Sequence, residues 1–157
     1  MMNSNLNDFP VVAIQRDILY LFPNSSCALH TVSDNSSELI LIRQWRPIHQ
    51  RHTLELPGGR IEDGENCETA ATRELYEETG IQAESAREII KLDLDFSASK
   101  HTTCIVHTRS RELPPLPSNV TLYSIEEAWR EVQAGNISHA PTVTAVLLLM
   151  KGEIFHD

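Results

Sequence analysis

The chain has 157 residues, of which 41% are hydrophobic and 22% are charged, and its formal net charge at pH 7 is −9. This length and composition predict a single soluble domain, residues 1–157, that can enclose a core. The acidic balance argues against nucleic acid as the main partner, because such binding depends on many contacts between phosphates and Lys or Arg. No apolar run has the length of a membrane span or of a signal core, so we expect no membrane contact.

The three cysteines are scattered at positions 27, 67 and 104. Their spacing is typical neither of a zinc site nor of a disulfide framework. Unpaired cysteines of this kind fit a reducing compartment, so we expect the protein to be cytoplasmic.

The first part of the chain alternates short apolar runs with polar turns, which is typical of strands. The predicted strands are residues 11–22, 27–32, 38–43 and 53–56, with a polar turn at 34–37. A helix is predicted from Cys67 to Thr79. Asn66 can cap its N-terminus, its alanines and leucine favour helix, and Gly80 suits a left-handed stop.

The second part of the chain is predicted to contain three strands and two helices. The strands are residues 84–94, 102–109 and 120–123, and three prolines make 112–119 a loop. Ser124 and Glu127 form a capping box that begins a helix, which stops at Gly135. Pro141 opens a last helix that runs to residue 150 and stops at Gly152; its apolar stretch is too short for a membrane and should pack on the sheet.

Acidic residues are concentrated in the segment 59–81, which reads GRIEDGENCETAATRELYEETGI. Glu74 and Glu78 share one face of the predicted helix, and Glu77 stands beside that face. Crowded carboxylates repel one another unless a cation lies among them, and carboxylate oxygens suit Mg²⁺ or Mn²⁺. The spacing therefore predicts a divalent-metal site for a phosphate-bearing substrate. The plainer interpretation, a solvated acidic helix, fits EETG alone but not the full pattern.

Arg73 is adjacent to Glu74 in the chain and so points about a third of a turn away from it. We predict that Arg73 pairs with Glu65 and fixes the loop before the helix onto the helix, a structural role that suits the planar guanidinium.

This spacing of glycines, glutamates and arginine resembles the Nudix box, with every specified position filled. The resemblance implies an α/β fold, the Nudix-type α/β/α sandwich with a curved mixed β-sheet. It also implies a pyrophosphohydrolase that cleaves a nucleoside diphosphate linked to another group, with Mg²⁺ as the cofactor and Mn²⁺ as a substitute. The implied catalytic and metal-binding residues are Glu74, Glu77 and Glu78, with the carbonyl of Gly58 as a further ligand. The implied structural residues are Gly59, Glu65, Arg73 and Gly80.

We expect substrate contacts in the segment 43–60, which is locally basic in an acidic chain. Arginine can hold phosphate through two parallel hydrogen bonds, and tryptophan can stack on a base. The candidate substrate-binding residues are Trp45, Arg46, Arg51 and Glu55. The alternative is that Trp45 belongs to the core or an interface and that the arginines are solvated.

The phrases RQWRP, LELPGGRIEDGE and FSASKHTTCIVHT resemble the ADP-ribose pyrophosphatase and nucleotide-sugar branch of the family. The chain departs from that branch where a proline usually follows the box, since Phe96 and Ser97 stand there. Members often carry an acidic residue in the loop before the penultimate helix, and Glu112 is the only acid in that loop. Glu112 is therefore the alternative to Glu77 as general base.

Three functions remain open at this point. The first is hydrolysis of ADP-ribose or a nucleotide sugar, and the second is hydrolysis of oxidised nucleoside triphosphates. The third is a non-catalytic module that senses nucleotides, although a sensor would be expected to lose box glutamates and none is lost here. Many enzymes of the resembled branch are dimers, which also leaves a homodimer open.

Overall fold

The computed structural model describes residues 11–14, 17–20, 22–32, 38–97 and 99–152. Within these ranges the chain forms nine strands and three helices. The strands are β1 Val11–Ile14, β2 Asp17–Tyr20, β3 Ser25–Val32, β4 Glu38–Arg46, β5 Arg51–Glu55, β6 Gly58–Arg60, β7 Ser85–Asp93, β8 Thr102–Ser110 and β9 Val120–Ser124. The helices are α1 Cys67–Thr79, α2 Ile125–Gln133 and α3 Ala140–Lys151.

A four-stranded mixed sheet with strand order β6-β3-β8-β7 forms the centre of the fold. Strand β3 runs parallel to β8 and antiparallel to β6, so that Cys27 lies opposite Ile105 on one side and Gly58 on the other. A three-stranded antiparallel sheet, β5-β4-β9, contacts it through β3 and β4. Strands β1 and β2 form a separate antiparallel pair.

The strands of the core bury different helices on their two faces, because successive side chains of a strand point in opposite directions. On one face Leu29 belongs to a cluster with Val146 of α3. On the other face Ala28 belongs to a cluster with Leu75 of α1. Fully burying a side chain such as Leu75 contributes about 1.5–3 kcal/mol. The helices therefore cover both faces, which confirms the α/β/α arrangement.

Helix α1 has the two ends that its sequence predicts. The side chain of Asn66 accepts a hydrogen bond from the backbone N–H of Thr69 at 2.8 Å. At the other end Gly80 has φ of 75°, and its N–H donates to the carbonyl of Tyr76 at 2.8 Å. The buried residues Ala70, Ala71 and Leu75 lie on the face that packs against the sheet.

Helices α2 and α3 follow one another at the C-terminal end of the described chain. The hydroxyl of Ser124 accepts from the N–H of Glu127, whose carboxylate accepts from the N–H of Ser124, so the capping box is present. Pro141 lies in the first turn of α3, and Gly152 ends the helix with φ of 70°. Across the described residues, no helix combines the length and the apolar character that crossing a membrane requires.

The strand prediction was wrong in three places. Residues 11–22 do not form one strand, because β1 and β2 pair antiparallel with each other and Val11 lies opposite Tyr20. Strand β4 continues beyond residue 43 to Arg46, since it remains paired with β5. Strand β6, which has only three residues, was not predicted. The predicted turn at 34–37 lies outside the described residues.

The expectation that no cysteines pair was also wrong. Cys67, the first residue of α1, and Cys104 of β8 form a disulfide, and their Cα atoms are 6.1 Å apart. The pairing brings together residues that are 37 positions apart in the chain, which spacing alone did not reveal. Cys27 is free and buried.

Candidate active site

A group of four glutamates and one arginine lies where α1 faces the β6 loop; we call it the carboxylate cluster. Its members are Glu65, Arg73, Glu74, Glu77 and Glu78. A side-chain Cβ on Gly59 would collide with the carboxylate of Glu74. Glycine at this position therefore allows the helix carboxylate to approach the backbone of the loop.

The carboxylate of Glu78 is held at both of its oxygens. The side-chain amide of Gln44 donates to Oε1 at 2.9 Å, and the backbone N–H of Gly58 donates to Oε2 at 2.9 Å. Burial is the main cause that raises the pKa of Glu78 to about 7; the N–H of Gly58 and the guanidinium of Arg46 oppose it, and the negative charges of Glu74 and Glu55 act in the same direction as burial. A cation at this position would relieve both the burial cost and the repulsion.

Arg73 organises the loop side of the carboxylate cluster. Its Nε donates to Oε1 of Glu65 at 2.8 Å, its Nη1 donates to Oε1 of Glu74 at 2.8 Å, and its Nη2 donates to the carbonyl of Arg60 at 2.9 Å. The hydrogen bonds from Arg73, followed by one from the N–H of Glu62, lower the pKa of Glu65 to about 2. The loop 61–66 is thereby tied to the middle of α1.

Glu77 is the most exposed member of the cluster, with 55% of its side chain accessible. Its Oε2 lies 3.4 Å from Nη1 of Arg73, which contacts Glu74 through the same nitrogen. The Glu77 carboxylate is therefore near the other acids yet open to solvent.

A second group, which we call the Arg46–Glu55 cluster, consists of Arg46, Thr53, Glu55, His139 and Thr142. Arg46 forms a two-armed ion pair with Glu55, with Nε 2.7 Å from Oε1, and Thr53 donates to the same carboxylate. The side chain of Glu55 is only 4% exposed, whereas that of Arg46 is 45% exposed. Burial raises the pKa of Glu55, but the hydrogen bonds from Arg46 and Thr53 and the nearby cationic groups outweigh it, and the pKa falls below its usual value.

The loop between α2 and α3 closes over this cluster. Nδ1 of His139 lies 3.8 Å from Glu55 and 2.9 Å from the hydroxyl of Thr142. That hydroxyl also accepts from the N–H of Leu56 at 3.0 Å. Burial lowers the pKa of His139, which favours the neutral imidazole at pH 7.

Cys27 packs directly against Gly58. Burial raises the pKa of its thiol to about 12, and the charges of Glu55 and Glu78 act in the same direction. A thiol with so high a pKa is protonated at neutral pH and is a poor nucleophile or metal ligand. Cys27 therefore serves as packing below the site.

The family model for the NUDIX domain matches residues 23–145 of this chain. The chain belongs to the NUDIX family. The match includes every residue of the two clusters described above. The resemblance seen in the sequence is thus confirmed at the level of the family.

Proteins that are similar to this chain in sequence are named for several different activities. The chain is 46% identical to mouse ADP-sugar pyrophosphatase over 68 residues, which are 43% of this chain and 31% of that protein. It is 36% identical to 8-oxo-dGTP diphosphatase of Escherichia coli over 76 residues, 48% of this chain and 58% of that protein. It is 28% identical to ADP-ribose pyrophosphatase of Bacillus subtilis over 137 residues, 80% of this chain and 72% of that protein. The chain thus spans well under two thirds of the first two relatives.

A solved structure described as an ADP compounds hydrolase shares the fold of this chain. The TM-score is 0.71, the sequence identity is 22%, and the match covers 94% of each chain. This likeness confirms the Nudix fold and says nothing further about the substrate.

The structure separates the four candidate substrate residues of this Nudix chain. Arg46 and Glu55 lie together and on the same face of β4 and β5 as Gln44. Trp45 points to the opposite face, because it alternates with its neighbours on β4, and its ring meets that of His52 edge-on at 5.2 Å. Arg51 donates to Ser138 at 2.6 Å and to the carbonyl of Gly135 at 3.3 Å, so it contacts the α2–α3 loop.

Glu112, the alternative base, lies in the loop after β8 and is exposed. Its backbone carbonyl accepts a hydrogen bond from Ser110 at 2.9 Å. Among the described hydrogen bonds and ion pairs, none joins its carboxylate to the carboxylate cluster.

Sequence reasoning missed four residues that the structure places in the site, namely Gln44, Thr53, His139 and Thr142. Gln44 stands inside RQWRP, two residues before Arg46, and strand alternation would have placed both on one face. His139 and Thr142 offered no comparable indication. They reach the site only because the α2–α3 loop folds back over Leu56.

Proposed function

We propose that the protein hydrolyses the pyrophosphate bond of a nucleoside diphosphate derivative, ADP-ribose or a nucleotide sugar, with Mg²⁺ or Mn²⁺ as cofactor. The observation that carries the proposal is the geometry of Glu74 and Glu78, whose carboxylates face the Gly58–Gly59 loop. The names of the mouse and Bacillus subtilis relatives support the substrate class.

The residues present fit a divalent cation. Glu74 and Glu78 offer hard oxygen ligands, and the carbonyl of Gly58 is adjacent to the N–H that holds Glu78. Burial raises the pKa of Glu78 to about 7, so the ionised carboxylate is costly at this position unless a cation binds beside it. When bound, the cation supplies positive charge against the diphosphate.

The side chains of the protein have separate roles in the proposed reaction. Arg73 keeps the loop and the helix in register, so that Glu74 and Glu78 remain on one side of the diphosphate. The outer face of the Arg46 guanidinium, which Glu55 holds from behind, can bind a phosphate oxygen. Glu77 is the general base that we favour: its Oε1 is not the oxygen that faces Arg73, and it can take a proton from the attacking water.

Hydrolysis of oxidised nucleoside triphosphates is the second candidate, because the Escherichia coli relative is named 8-oxo-dGTP diphosphatase. Both reactions use the same carboxylates. They differ in whether the products are two phosphorylated fragments or a monophosphate and inorganic pyrophosphate.

The test is a substrate panel. The purified protein is incubated with ADP-ribose, ADP-glucose, UDP-glucose and 8-oxo-dGTP, each with Mg²⁺, Mn²⁺ or EDTA, in water labelled with ¹⁸O. We expect AMP and a sugar phosphate from an ADP derivative, labelled on one product and absent in EDTA. Release of pyrophosphate from 8-oxo-dGTP alone would favour the second candidate. Binding of nucleotide and cation without any product would overturn both and favour a sensor.

A further inference from the structure

Gln44 joins the three-stranded sheet to the helix that carries the glutamates through a side-chain hydrogen bond. Its side chain lies on the face of β4 that points toward α1, and its amide donates to Oε1 of Glu78 across 34 residues of sequence. The donor belongs to one sheet, and the carboxylate belongs to a helix packed on the other.

The position of Gln44 leaves the Glu78 carboxylate little rotational freedom. With Gly58 N–H at Oε2 and the Gln44 amide at Oε1, each oxygen accepts one hydrogen bond at 2.9 Å. A carboxylate oxygen has two lone-pair sites, so each keeps one for a further partner. The two donors therefore fix the direction in which those remaining sites point.

The side chains of the two residues that adjoin Gln44 on β4 point away from the carboxylate cluster. Arg43 and Trp45 alternate to the opposite face, where Nη2 of Arg43 is 3.5 Å from His52. Of these three consecutive residues, Gln44 alone contacts the carboxylate cluster through a described hydrogen bond.

We propose that Gln44 is a positioning residue that orients the Glu78 carboxylate for a divalent cation. The inference rests on the proposed function, because Glu78 is taken as a ligand. A neutral amide suits this task, since it donates to the carboxylate without competing with the cation for charge. Outer hydrogen-bond partners of ligating groups contribute about 10–100-fold to metal affinity or activity.

The experiment measures Mn²⁺ binding without nucleotide, by electron paramagnetic resonance of the free ion. Gln44→Met keeps the length of the side chain and removes the donor. Arg43→Met makes the same replacement one position away, on the other face of β4. We expect the Mn²⁺ dissociation constant to rise about tenfold in Gln44→Met and to stay unchanged in Arg43→Met.

A second readout separates positioning from a merely structural role. In Gln44→Met, the Mn²⁺ concentration for half-maximal rate should rise in parallel with the dissociation constant, while kcat at saturating Mn²⁺ stays within about threefold of wild type. Gln44→Ala is a second variant that lacks the donor, and circular dichroism checks that both variants fold.

The outcomes distinguish this inference from the proposed function. Unchanged Mn²⁺ affinity in folded Gln44→Met, with a wild-type protein that binds Mn²⁺ and hydrolyses substrate, overturns the role of Gln44 alone. A wild-type protein that binds no Mn²⁺ overturns the metal assignment itself. If neither Gln44→Met nor Gln44→Ala folds, Gln44 belongs to the structural core, and the inference is equally overturned.

Discussion

The two clusters of the site differ in how far their negative charges are balanced by positive ones. The carboxylate cluster sets four glutamates, Glu65, Glu74, Glu77 and Glu78, against Arg73, whereas the Arg46–Glu55 cluster sets one buried carboxylate against one guanidinium. The pKa of Glu78 is raised and that of Glu55 is lowered, although both are sheltered from solvent. By formal charge the carboxylate cluster is therefore negative, with four glutamates and one arginine, whereas Glu55 and Arg46 balance each other.

The difference in charge indicates a separate role for each cluster. A group of acids that repel one another is costly to the fold, and arrangements of this kind are typical of functional sites. A buried carboxylate whose oxygens face donors holds the partner guanidinium in a fixed direction, and removing either partner leaves a buried charge that destabilises the fold. Substitutions in the two clusters should therefore have different effects on turnover and on stability.

The largest expected effect is on turnover in the carboxylate cluster. Glu78→Gln removes a negative ligand, and losing several kcal/mol of transition-state stabilisation corresponds to a fall in kcat on the order of 10³-fold. The free energy of unfolding in EDTA should not fall, because the variant also removes a repelled charge. The rate is measured at saturating Mg²⁺, with Glu126→Gln on the exposed side of α2 as control. Robust activity in Glu78→Gln would refute the assignment of this residue as a ligand.

The reverse behaviour is expected in the Arg46–Glu55 cluster. Arg46→Met leaves the Glu55 carboxylate buried without its cation, which should lower the free energy of unfolding by about 2 kcal/mol. Breaking a fully buried pair costs more, but 45% of the Arg46 side chain is exposed. Urea unfolding in EDTA measures the loss. Arg43→Met, an exposed arginine on the same strand, is the matched control, and an equal loss in both variants would contradict the role of the ion pair.

The sequence predicted the carboxylate cluster well because its members lie within fourteen consecutive residues, 65–78, most of them on one helix. The period of 3.6 residues per turn then determines which side chains share a face. The two ends of α1 could also be predicted from neighbouring residues, since Asn66 and Gly80 act on their own helix.

The Arg46–Glu55 cluster could not be predicted in the same way, because its parts meet through tertiary structure. Thr142 bonds the backbone of Leu56 across 86 residues, and Arg51 reaches Ser138 across 87. The strand boundaries decide the rest: β4 was expected to end at residue 43, so the opposite directions of Gln44 and Trp45 were not foreseen. The disulfide between Cys67 and Cys104 depends on how α1 crosses β8, which no local pattern encodes.

The pH dependence of stability should differ in sign between Glu78 and Glu55. The folded pKa of Glu78, about 7, lies above its unfolded value of 4.5, so the folded state binds more protons and the wild type loses stability relative to Glu78→Gln as pH rises through that window. The folded pKa of Glu55 lies below 4.5, so its stabilising contribution is present above that pH and is lost as pH falls. Urea unfolding in EDTA from about pH 3 to pH 8 measures both slopes. Parallel pH profiles for Glu78→Gln and Glu55→Gln would contradict the contrast.

The smallest effect separates two helix N-caps that resemble each other in chemistry but not in position. Asn66→Ala and Ser124→Ala each remove one cap and should each lower the free energy of unfolding by about 1 kcal/mol. Only Asn66 adjoins the loop that Arg73 ties to α1 through Glu65. Its loss should therefore also raise the Mg²⁺ concentration needed for half-maximal rate, whereas Ser124→Ala should leave that concentration unchanged.

Asn66→Asp tests whether the cap itself is responsible, because aspartate accepts the same hydrogen bond from Thr69 and suits a helix N-terminus. It should restore both stability and the wild-type Mg²⁺ requirement. If Ser124→Ala shifts the Mg²⁺ requirement as much as Asn66→Ala does, the shift reports general loss of stability. The loop 61–66 would then have no special part in holding the carboxylates, and the coupling between the cap and the carboxylate cluster would have to be abandoned.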